Sequence, residues 1–576
     1  MQLIIFLVMR RMRTPLIVLI CAYAFAVLGF VLIPGQDNLG QPWQMNFFHA
    51  FYFVSFMGST IGFGEIPYPF TDGQRLWATI TIYTTVISWL YAIGTLITLI
   101  QTPMFRAAVT RNGFIRKVQK VREPFYLICG YGDTGRLVVE ALTHNDIRCV
   151  VVDVNPDRIN ELLLEELPQD VPCLNADASD SDTLLNAGLG SAYCVGTIAI
   201  TRDDQVNLKI AIACKLLNRD IKVYCWAESN DTGVNMASFD TEHIIYPYDI
   251  FAHYLSNALS LPSNYLLHQW LSSPIGTPLS EPVFPPHGKW VLCGYGRFGK
   301  AVYQKLVTLG MPVTVIEERP DLTNPPEGSI TGRGTEADTL EMARVHEAVG
   351  IIAGTDHDVN NLSIILTAKA IQPKLFTVAR QEFATNNLIF SAANIDLITN
   401  HSKLISNELL ALITTPLTAD FLALSNRQPD EWSRILVCRL LGCIEDTNPS
   451  CWVITLRPER TKAFMDWNNP AHSILLRHIT HEPGNRKKKL PCIALLLKRG
   501  NERILLPDPN IPLKPHDRIL FAGNPAAKSS IAYICTYPDL LHYMVTGESR
   551  PITSLVKWLS SQTKSGSKTR KATRTD

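Results

Sequence analysis

Residues 58–67 read Gly58-Ser-Thr-Ile-Gly-Phe-Gly-Glu-Ile-Pro67 (GSTIGFGEIP), a glycine-rich stretch that cannot continue a helix. Its neighbours decide how the chain folds. Upstream, Thr14 to Ile33 carries no charge over twenty residues; downstream, Leu76 to Ile100 carries none over twenty-five. A helix crosses the bilayer core with about 20 residues at about 1.5 Å rise each, so both runs are long enough to span it. Neither has a polar face, which argues against a buried helix of a soluble protein. A cleaved signal peptide over residues 1–33 is disfavoured, because no small-residue cleavage site precedes Pro34 and a second span follows closely.

Between the spans, Asn46 to Gly58 (NFFHAFYFVSFMG) is aromatic and apolar. It is too short to span, yet long enough for a helix that dips into the membrane and stops. Non-helical backbone at that depth is tolerated only where it is buried in protein or lines water. Gly62 and Gly64 permit backbone conformations closed to other residues, so carbonyls can point one way and replace an ion's hydration shell. Thr60 can add its hydroxyl as the innermost ligand, and the C-terminal end of the dipping helix favours a cation.

The stretch Thr60, Ile61, Gly62, Phe63, Gly64 resembles the potassium-channel filter T-V-G-Y-G. Thr60, Gly62 and Gly64 match, Ile61 replaces Val, Phe63 replaces Tyr, and Glu65 stands where the family usually has Asp. Phe63 lacks a hydroxyl that in the family braces the filter, which bears on rigidity more than on ion choice. The resemblance covers residues 14–100 and implies a two-span potassium-channel pore with K+ as the permeant ion. One chain supplies one wall of carbonyls, so a homotetramer in the lipid bilayer is expected. Gly94, well along the second span, is either a gating hinge or a site of close helix packing.

Basic residues give the orientation. Arg10, Arg11 and Arg13 precede the first span, and Arg106, Arg111, Arg116, Lys117, Lys120 and Arg122 follow the second; Arg75 is the one base between. The positive-inside rule places both termini in the cytoplasm and the protein in the inner (plasma) membrane as a multi-pass protein. Residues 1–9 form a surface helix or are disordered. No Arg-rich periodic helix is present to sense voltage.

At 576 residues the chain must hold several domains. A net charge of +1 gives no steering toward nucleic acid, and none is expected as a partner. With 47% hydrophobic and 18% charged residues, a mixed membrane and soluble architecture fits better than either alone. The thirteen cysteines are scattered, without CxxC or zinc-type spacing; Cys129, Cys149 and Cys293 read as small hydrophobes in a reducing compartment.

The cytoplasmic part contains a repeat. Phe125 to Gly135 (FYLICGYGDTG) returns 164 residues later as Trp290 to Gly299 (WVLCGYGRFG). An acid ends the next strand in each, Asp153 and Glu317, and Thr201-Arg-Asp-Asp204 matches Thr355-Asp-His-Asp358. A repeat of this size is two copies of one folded unit. Strand, G-x-G-x-x-G, helix and an acid about 20 residues on make a dinucleotide-binding fingerprint. In the first copy Gly130, Gly132, Asp133, Thr134 and Gly135 would cradle phosphate at a helix N-terminus, Asp153 would bond ribose, and Asp177 would face the adenine side. In the second, Gly294, Gly296, Gly299 and Glu317 are equivalent. Arg297 could contact phosphate there. Arg333 stands where Asp177 stood, so that copy is vacant or takes a different ligand.

These features resemble RCK domains, the TrkA-N-like Rossmann regulators of potassium conductance, over residues 123–260 and 289–410. Residues 500–527 resemble the small C-terminal lobe that can follow them. The resemblance implies NAD or an adenine nucleotide (ADP or ATP) as regulatory ligand, with a divalent cation possible. Glu165, Glu166, Asp203 and Asp204 could bind cations, a solvated charged face being the plainer reading.

The expected fold is therefore multidomain. An all-α pore domain fills 1–103, with spans at about 14–33 and 76–100, a pore helix at about 46–58 and the filter at 60–64. A basic linker (104–122), a first α/β Rossmann-like domain (123–261), a Pro/Ser-rich connector (262–288), a second such domain (289–410), an α+β lobe (411–548) and a disordered basic tail (549–576) follow. The first copy is expected to lack a lobe, and His481 to Leu490 to be a loop. The expected function is a ligand-gated, potassium-selective channel whose cytoplasmic ring binds nucleotide, and not an enzyme. The alternatives are a non-selective cation channel of the same architecture and a membrane-tethered NAD-dependent oxidoreductase, although no catalytic constellation stands out near either fingerprint. A purely regulatory subunit would need no filter.

Overall fold

The computed structural model describes residues 2–548 except 63, 66, 242, 274–276, 280, 460 and 468–471, with backbone alone for 2–7. Phe63 of the expected filter and the tail 549–576 thus lie outside the described residues. The chain divides into two compact units, the first running through Arg122 and the second from Glu123.

The first unit is helical. α1 (Gln2–Leu32), α2 (Phe47–Gly58), α3 (Asp72–Gln101) and α4 (Pro103–Lys120) follow one another. Residues 2–9 continue α1 without a break, in place of the separate surface helix or disorder expected. Among the described residues, Val8–Leu32 and Asp72–Gln101 are long and apolar enough to cross a membrane. α1 and α3 approach closely at Gly29, where a Cβ would lie 2.0 Å from the Trp77 ring. The Trp77 indole N–H donates to the Ala26 carbonyl at 3.1 Å. Small residues at such crossings let helices meet by packing. The hydroxyls of Thr81, Thr85 and Ser88 donate to carbonyls four residues back, at 2.8, 2.7 and 2.6 Å. That is how α3 carries hydroxyls at membrane depth without orphaned donors. The basic linker is itself helical: Pro103 opens α4 at its first turn, where a missing N–H costs nothing.

The second unit contains two six-stranded sheets. The first is built from β1 (Phe125–Cys129), β2 (Arg148–Asp153), β3 (Cys173–Asn175), β4 (Cys194–Ala199), β5 (Lys222–Trp226) and β6 (His243–Ile245), in the order β3-β2-β1-β4-β5-β6. The second repeats it with β7 (Trp290–Cys293), β8 (Val313–Glu317), β9 (Ile330–Thr331), β10 (Gly350–Ala353), β11 (Phe376–Gln381) and β12 (Leu397–Asn400), in the order β9-β8-β7-β10-β11-β12. Cys129 lies opposite Val152 and Ala199, and Cys293 opposite Ile316 and Ala353, all in parallel pairings. Strands buried on both faces read as continuous apolar runs, which is why Tyr126–Cys129 and Trp290–Cys293 do not alternate. No disulfide joins any two cysteines among the described residues.

Helix α5 (Asp133–His144) follows β1; α6 (Pro247–Ser260) and α7 (Pro262–Ser272) follow β6; α8 (Arg297–Thr308) follows β7. After β12 come α9 (His401–Thr414), α10 (Pro416–Ser425) and α11 (Asp430–Leu441). The break from α9 to α10 is a bend of 114°. It falls at Thr415–Pro416, and the equivalent break falls at Leu261–Pro262. The residue before each proline leaves the helical region, as proline's ring requires. The arms then exchange: α6 packs on α8 of the second copy, and α9 packs on α5 of the first. Tyr248, Phe251 and Leu255 share one core with Trp290, Phe298 and Val302.

The connector expected at 262–288 begins instead with α7. Leu266, Leu267, Trp270 and Leu271 enter a core with Leu417, Phe421, Leu436 and Leu440, and with Leu496 and Leu520 of the terminal lobe. Pro262 marks a helix start there, not a linker. The lobe is an antiparallel sheet of β13 (Ser450–Thr455), β14 (Cys492–Arg499), β15 (Glu502–Leu505) and β16 (Arg518–Gly523), in the order β13-β16-β14-β15. Both copies' arms thus share it, in place of a lobe for the second alone. The loop expected at His481–Leu490 is a hairpin, His481–Glu482 pairing antiparallel with Asn485–Lys489. Its lysines are exposed, and Lys488 pairs with Glu482 at 2.7 Å.

Candidate functional site

In the first unit, Asn46 caps α2 by accepting from the His49 N–H at 2.8 Å. Phe53, Val54 and Met57 of α2 pack with Ala26, Val27 and Phe30 of α1. The chain then turns on itself: Ser59, Thr60 and Ile61 donate backbone N–H groups to the carbonyls of Ser55, Met57 and Phe56. Thr60, Gly62 and Gly64 lie in the left-handed region, with φ 62°, 69° and 96°. Among the described residues of this chain, a Cβ on Gly62 or Gly64 would meet nothing within 4 Å, so within one chain it is conformation that calls for glycine. Thr60 is β-branched, and holding it there costs about 1–3 kcal/mol. Behind the turn, Glu65 accepts from the Phe70 N–H at 2.8 Å and pairs with Arg75 at 2.9 Å. Among the described residues of this chain, a Cβ on Gly94 would meet nothing within 4 Å outside its own helix backbone.

In the second unit, the strand order reverses between β1 and β4, and a crevice opens at their carboxyl ends, where doubly wound sheets take ligands. Gly130 has φ 109°, and a Cβ on it would lie 2.9 Å from the Ile200 carbonyl oxygen. A Cβ on Gly135 would lie 2.2 Å from the Gly130 oxygen, so both glycines are demanded by the fold. Gly132 differs. It is the N-cap of α5 at φ −83°, and the nearest atom to a Cβ there is Arg158 Nη1 at 3.6 Å. No atom among the described residues crowds it, which leaves room for an approaching phosphate. Asp153, almost fully buried, accepts from the Tyr131 N–H at 2.5 Å and the Asn155 N–H at 2.7 Å. Asp177 accepts from the Ser179 N–H at 2.8 Å.

A cavity of about 460 Å³ joins these groups. Gly130, Gly132, Asp133, Thr134, Asp153, Arg158 and Asp177 line one side; Thr201, Asp203, Trp226 and Glu228 line the other. Gly135 packs against Gly130 and does not line it. The cavity is closed by residues that the fingerprint did not mark: Tyr248 on α6, and Arg380, Glu382, His401 and Ser402 of the second copy. Arg380 is buried and bonds Asp356 at 2.5 Å and Glu382 at 2.9 Å, with its guanidinium 5.4 Å from the Tyr248 ring centroid. His401 is buried, and its pKa is pushed down to about 3 by burial and then by the Arg380 charge, so it stays neutral. The one signal for these residues in the sequence is the repeat carried further. Glu228 and Glu382 sit at equivalent positions just beyond β5 and β11.

The second fingerprint is arranged differently. Gly294 has φ 95°, a Cβ on Gly299 would lie 2.1 Å from the Gly294 oxygen, and Glu317 accepts from the Tyr295 and Arg319 N–H groups. Gly296, like Gly132, is uncrowded. Arg297, expected near phosphate, is instead ion-paired to Glu228 of the first copy at 2.5 Å. Arg333 pairs with Glu318 at 2.9 Å. Burial raises the Glu228 carboxyl, against the pull of Arg297. Three of the four candidate cation ligands are engaged as well, and Glu166 is exposed. Glu165 accepts from the Tyr131 hydroxyl, Asp203 caps the helix Asp204–Leu217, and Asp204 accepts from the Glu228 and Ser229 N–H groups. Among the described residues, no group of three or more His, Cys, Asp or Glu side chains could hold a metal ion.

Comparison with known proteins agrees with this division. The ion-channel family model matches residues 17–102, and the TrkA-N domain model matches residues 126–247 and 290–401. Potassium channel protein 1 of Methanocaldococcus jannaschii is 28% identical over 203 residues, covering 35% of this chain and 59% of the relative. A Trk system potassium uptake protein TrkA homolog of Methanothermobacter thermautotrophicus is 31% identical over 142 residues, covering 24% of this chain and 65% of the relative. The chain thus spans less than two thirds of the length of these relatives. A solved structure of the GsuK channel bound to NAD aligns over 92% of this chain and 99% of that one, at 15% identity and a TM-score of 0.46. By region, then, residues 17–102 match the ion-channel model and residues 126–247 and 290–401 each match the TrkA-N model, and the chain is homologous to archaeal potassium-channel proteins.

Proposed function

We propose that this protein is a potassium-selective channel, assembled as a homotetramer and regulated by nucleotide bound to its first TrkA-N copy. The observation that carries the reading is the turn after α2. A short apolar helix ends between two spans, and Thr60, Gly62 and Gly64 then take left-handed backbone. Backbone carbonyls freed in this way can replace the hydration shell of a permeant cation. Four chains about one axis would close the ring, with both termini on the cytoplasmic side of the plasma membrane. The nucleotide reading is supported by the cradle at Gly132 and the carboxylates of Asp153 and Asp177 on one cavity. The second copy, with Arg297 and Arg333 both engaged by carboxylates, serves as structural partner to the first. Nucleotide shifts gating only to the extent that it binds the open and closed arrangements with different affinity.

The test is flux from the purified chain in liposomes under a potassium gradient and then a sodium gradient, with and without NAD or ADP. Potassium flux that exceeds sodium flux and changes with nucleotide supports the whole reading. Equal flux of the two ions would make the pore non-selective. Potassium flux indifferent to both nucleotides would refute the regulatory part.

A further inference from the structure

The cavity has two halves of different character. The half with Gly132, Asp153 and Asp177 belongs entirely to the first copy and carries the groups that the fingerprint assigns to one nucleoside and its phosphates. Across the strand-order reversal lies a second half, walled by Trp226 and Glu228 and closed by Arg380 and His401 of the second copy. A dinucleotide lies across such a reversal, with its two nucleosides on opposite sides.

The second half carries unspent hydrogen-bonding groups. Among the described residues, Trp226 Nε1, Arg380 Nε and both ring nitrogens of His401 have no hydrogen-bond partner. Arg380 and His401 are each only 5% exposed. Buried polar groups are seldom left unpaired, and each one left so costs about 1–3 kcal/mol. A neutral imidazole offers one donor and one acceptor, and a carboxamide offers the same pair in return.

We propose that the cavity takes a dinucleotide whose second, carboxamide-bearing nucleoside seats on Arg380 and His401, so that the dinucleotide bridges the two copies while a mononucleotide touches the first copy alone. The proposal rests on the reading of the first copy as a nucleotide site. It makes Arg380 and His401 specificity residues: they discriminate NAD from ADP and couple only the former to the arrangement of the two copies.

The experiment is calorimetric titration of the purified full-length channel with NAD and with ADP, in wild type and in His401→Leu. In the variant NAD affinity should fall about tenfold or more, the loss of one buried hydrogen bond, while ADP affinity stays within about twofold. Retained ADP binding also reports that the variant is folded. Hydrogen exchange on the wild type needs no variant: NAD, and not ADP, should slow exchange over residues 397–405. If wild type binds both nucleotides, yet NAD protects this segment no more than ADP does, or His401→Leu weakens both alike, the bridge is refuted and the nucleotide site survives. If wild type binds neither, the nucleotide reading fails and takes the bridge with it.

Discussion

Arg297 of the second copy and Glu228 of the first are joined by an ion pair of 2.5 Å. The pair links the first turn of the second copy's glycine helix to the wall of the first copy's cavity. The Glu228 side chain is 17% exposed and that of Arg297 59%. Such a pair is worth more than an exposed one, at about 0–1 kcal/mol, and less than the 3–5 kcal/mol lost on breaking a buried one. Arg297→Ala should therefore destabilise the second unit by about 1–2 kcal/mol in urea unfolding. Adding Glu228→Gln should recover part of that loss, because no charged carboxylate is then left without its partner. Strictly additive losses would show that the contact contributes nothing.

The glycines of the first fingerprint should separate into two kinds. Gly135→Ala places a Cβ 2.2 Å from a backbone oxygen and should disrupt the copy, with loss of expression or of its unfolding transition. Gly132→Ala has no clash within the protein and should leave the melting temperature within about 2 °C, less than a 1 kcal/mol change would give. It should nonetheless weaken nucleotide binding about tenfold or more by obstructing the phosphate's approach. Unchanged affinity in a folded Gly132→Ala would overturn the assignment of the cradle.

Gly62→Ala tests the filter turn. Its φ of 69° costs an L-residue about 1–2 kcal/mol in each chain of the proposed tetramer, although no atom among the described residues of this chain obstructs the added methyl. Potassium flux in liposomes should be abolished while the assembly keeps its elution volume. Undiminished flux would mean that ions do not pass by this backbone.

Acid should weaken the second unit through its neutral histidines. His401 and His268 are buried, and burial pushes their pKa values down to about 3 and about 4. In the unfolded chain both titrate near about 6.5. Their contribution is complete above that pH and is lost as pH falls toward the folded values, because only the unfolded state takes up the protons. Each costs about 1.4 kcal/mol per pH unit in that window, so the two together remove about 4 kcal/mol by pH 5. Thermal unfolding at pH 7.5 and 5.0 checks this; because burial pushes His478 of the same unit down to about 4 as well, His401→Leu should remove about a third of the difference.

Local signals in the sequence determined the elements. Charge-free length made α1 and α3 spans, and apolar runs before G-x-G-x-x-G made β1 and β7 central strands. Glycines at 62, 64, 130 and 294 marked the places where backbone must turn left-handed, because that constraint acts on a single residue. What tertiary structure alone decided is the pairing of the two copies. Pro262, which locally reads as linker punctuation, opens α7, and α7 buries Leu267 and Trp270 against α10 and α11. Arg297, which by its place in the fingerprint reads as a phosphate ligand, is carried by α8 to Glu228 of the other copy. Arg380 and His401, more than 200 residues from Asp153 in the chain, reach its cavity only because α6 and α9 cross between copies. A helix or a turn is set by residues a few positions apart, whereas the wall of a cavity is set by which surfaces a crossed chain brings together, and no local spacing records that.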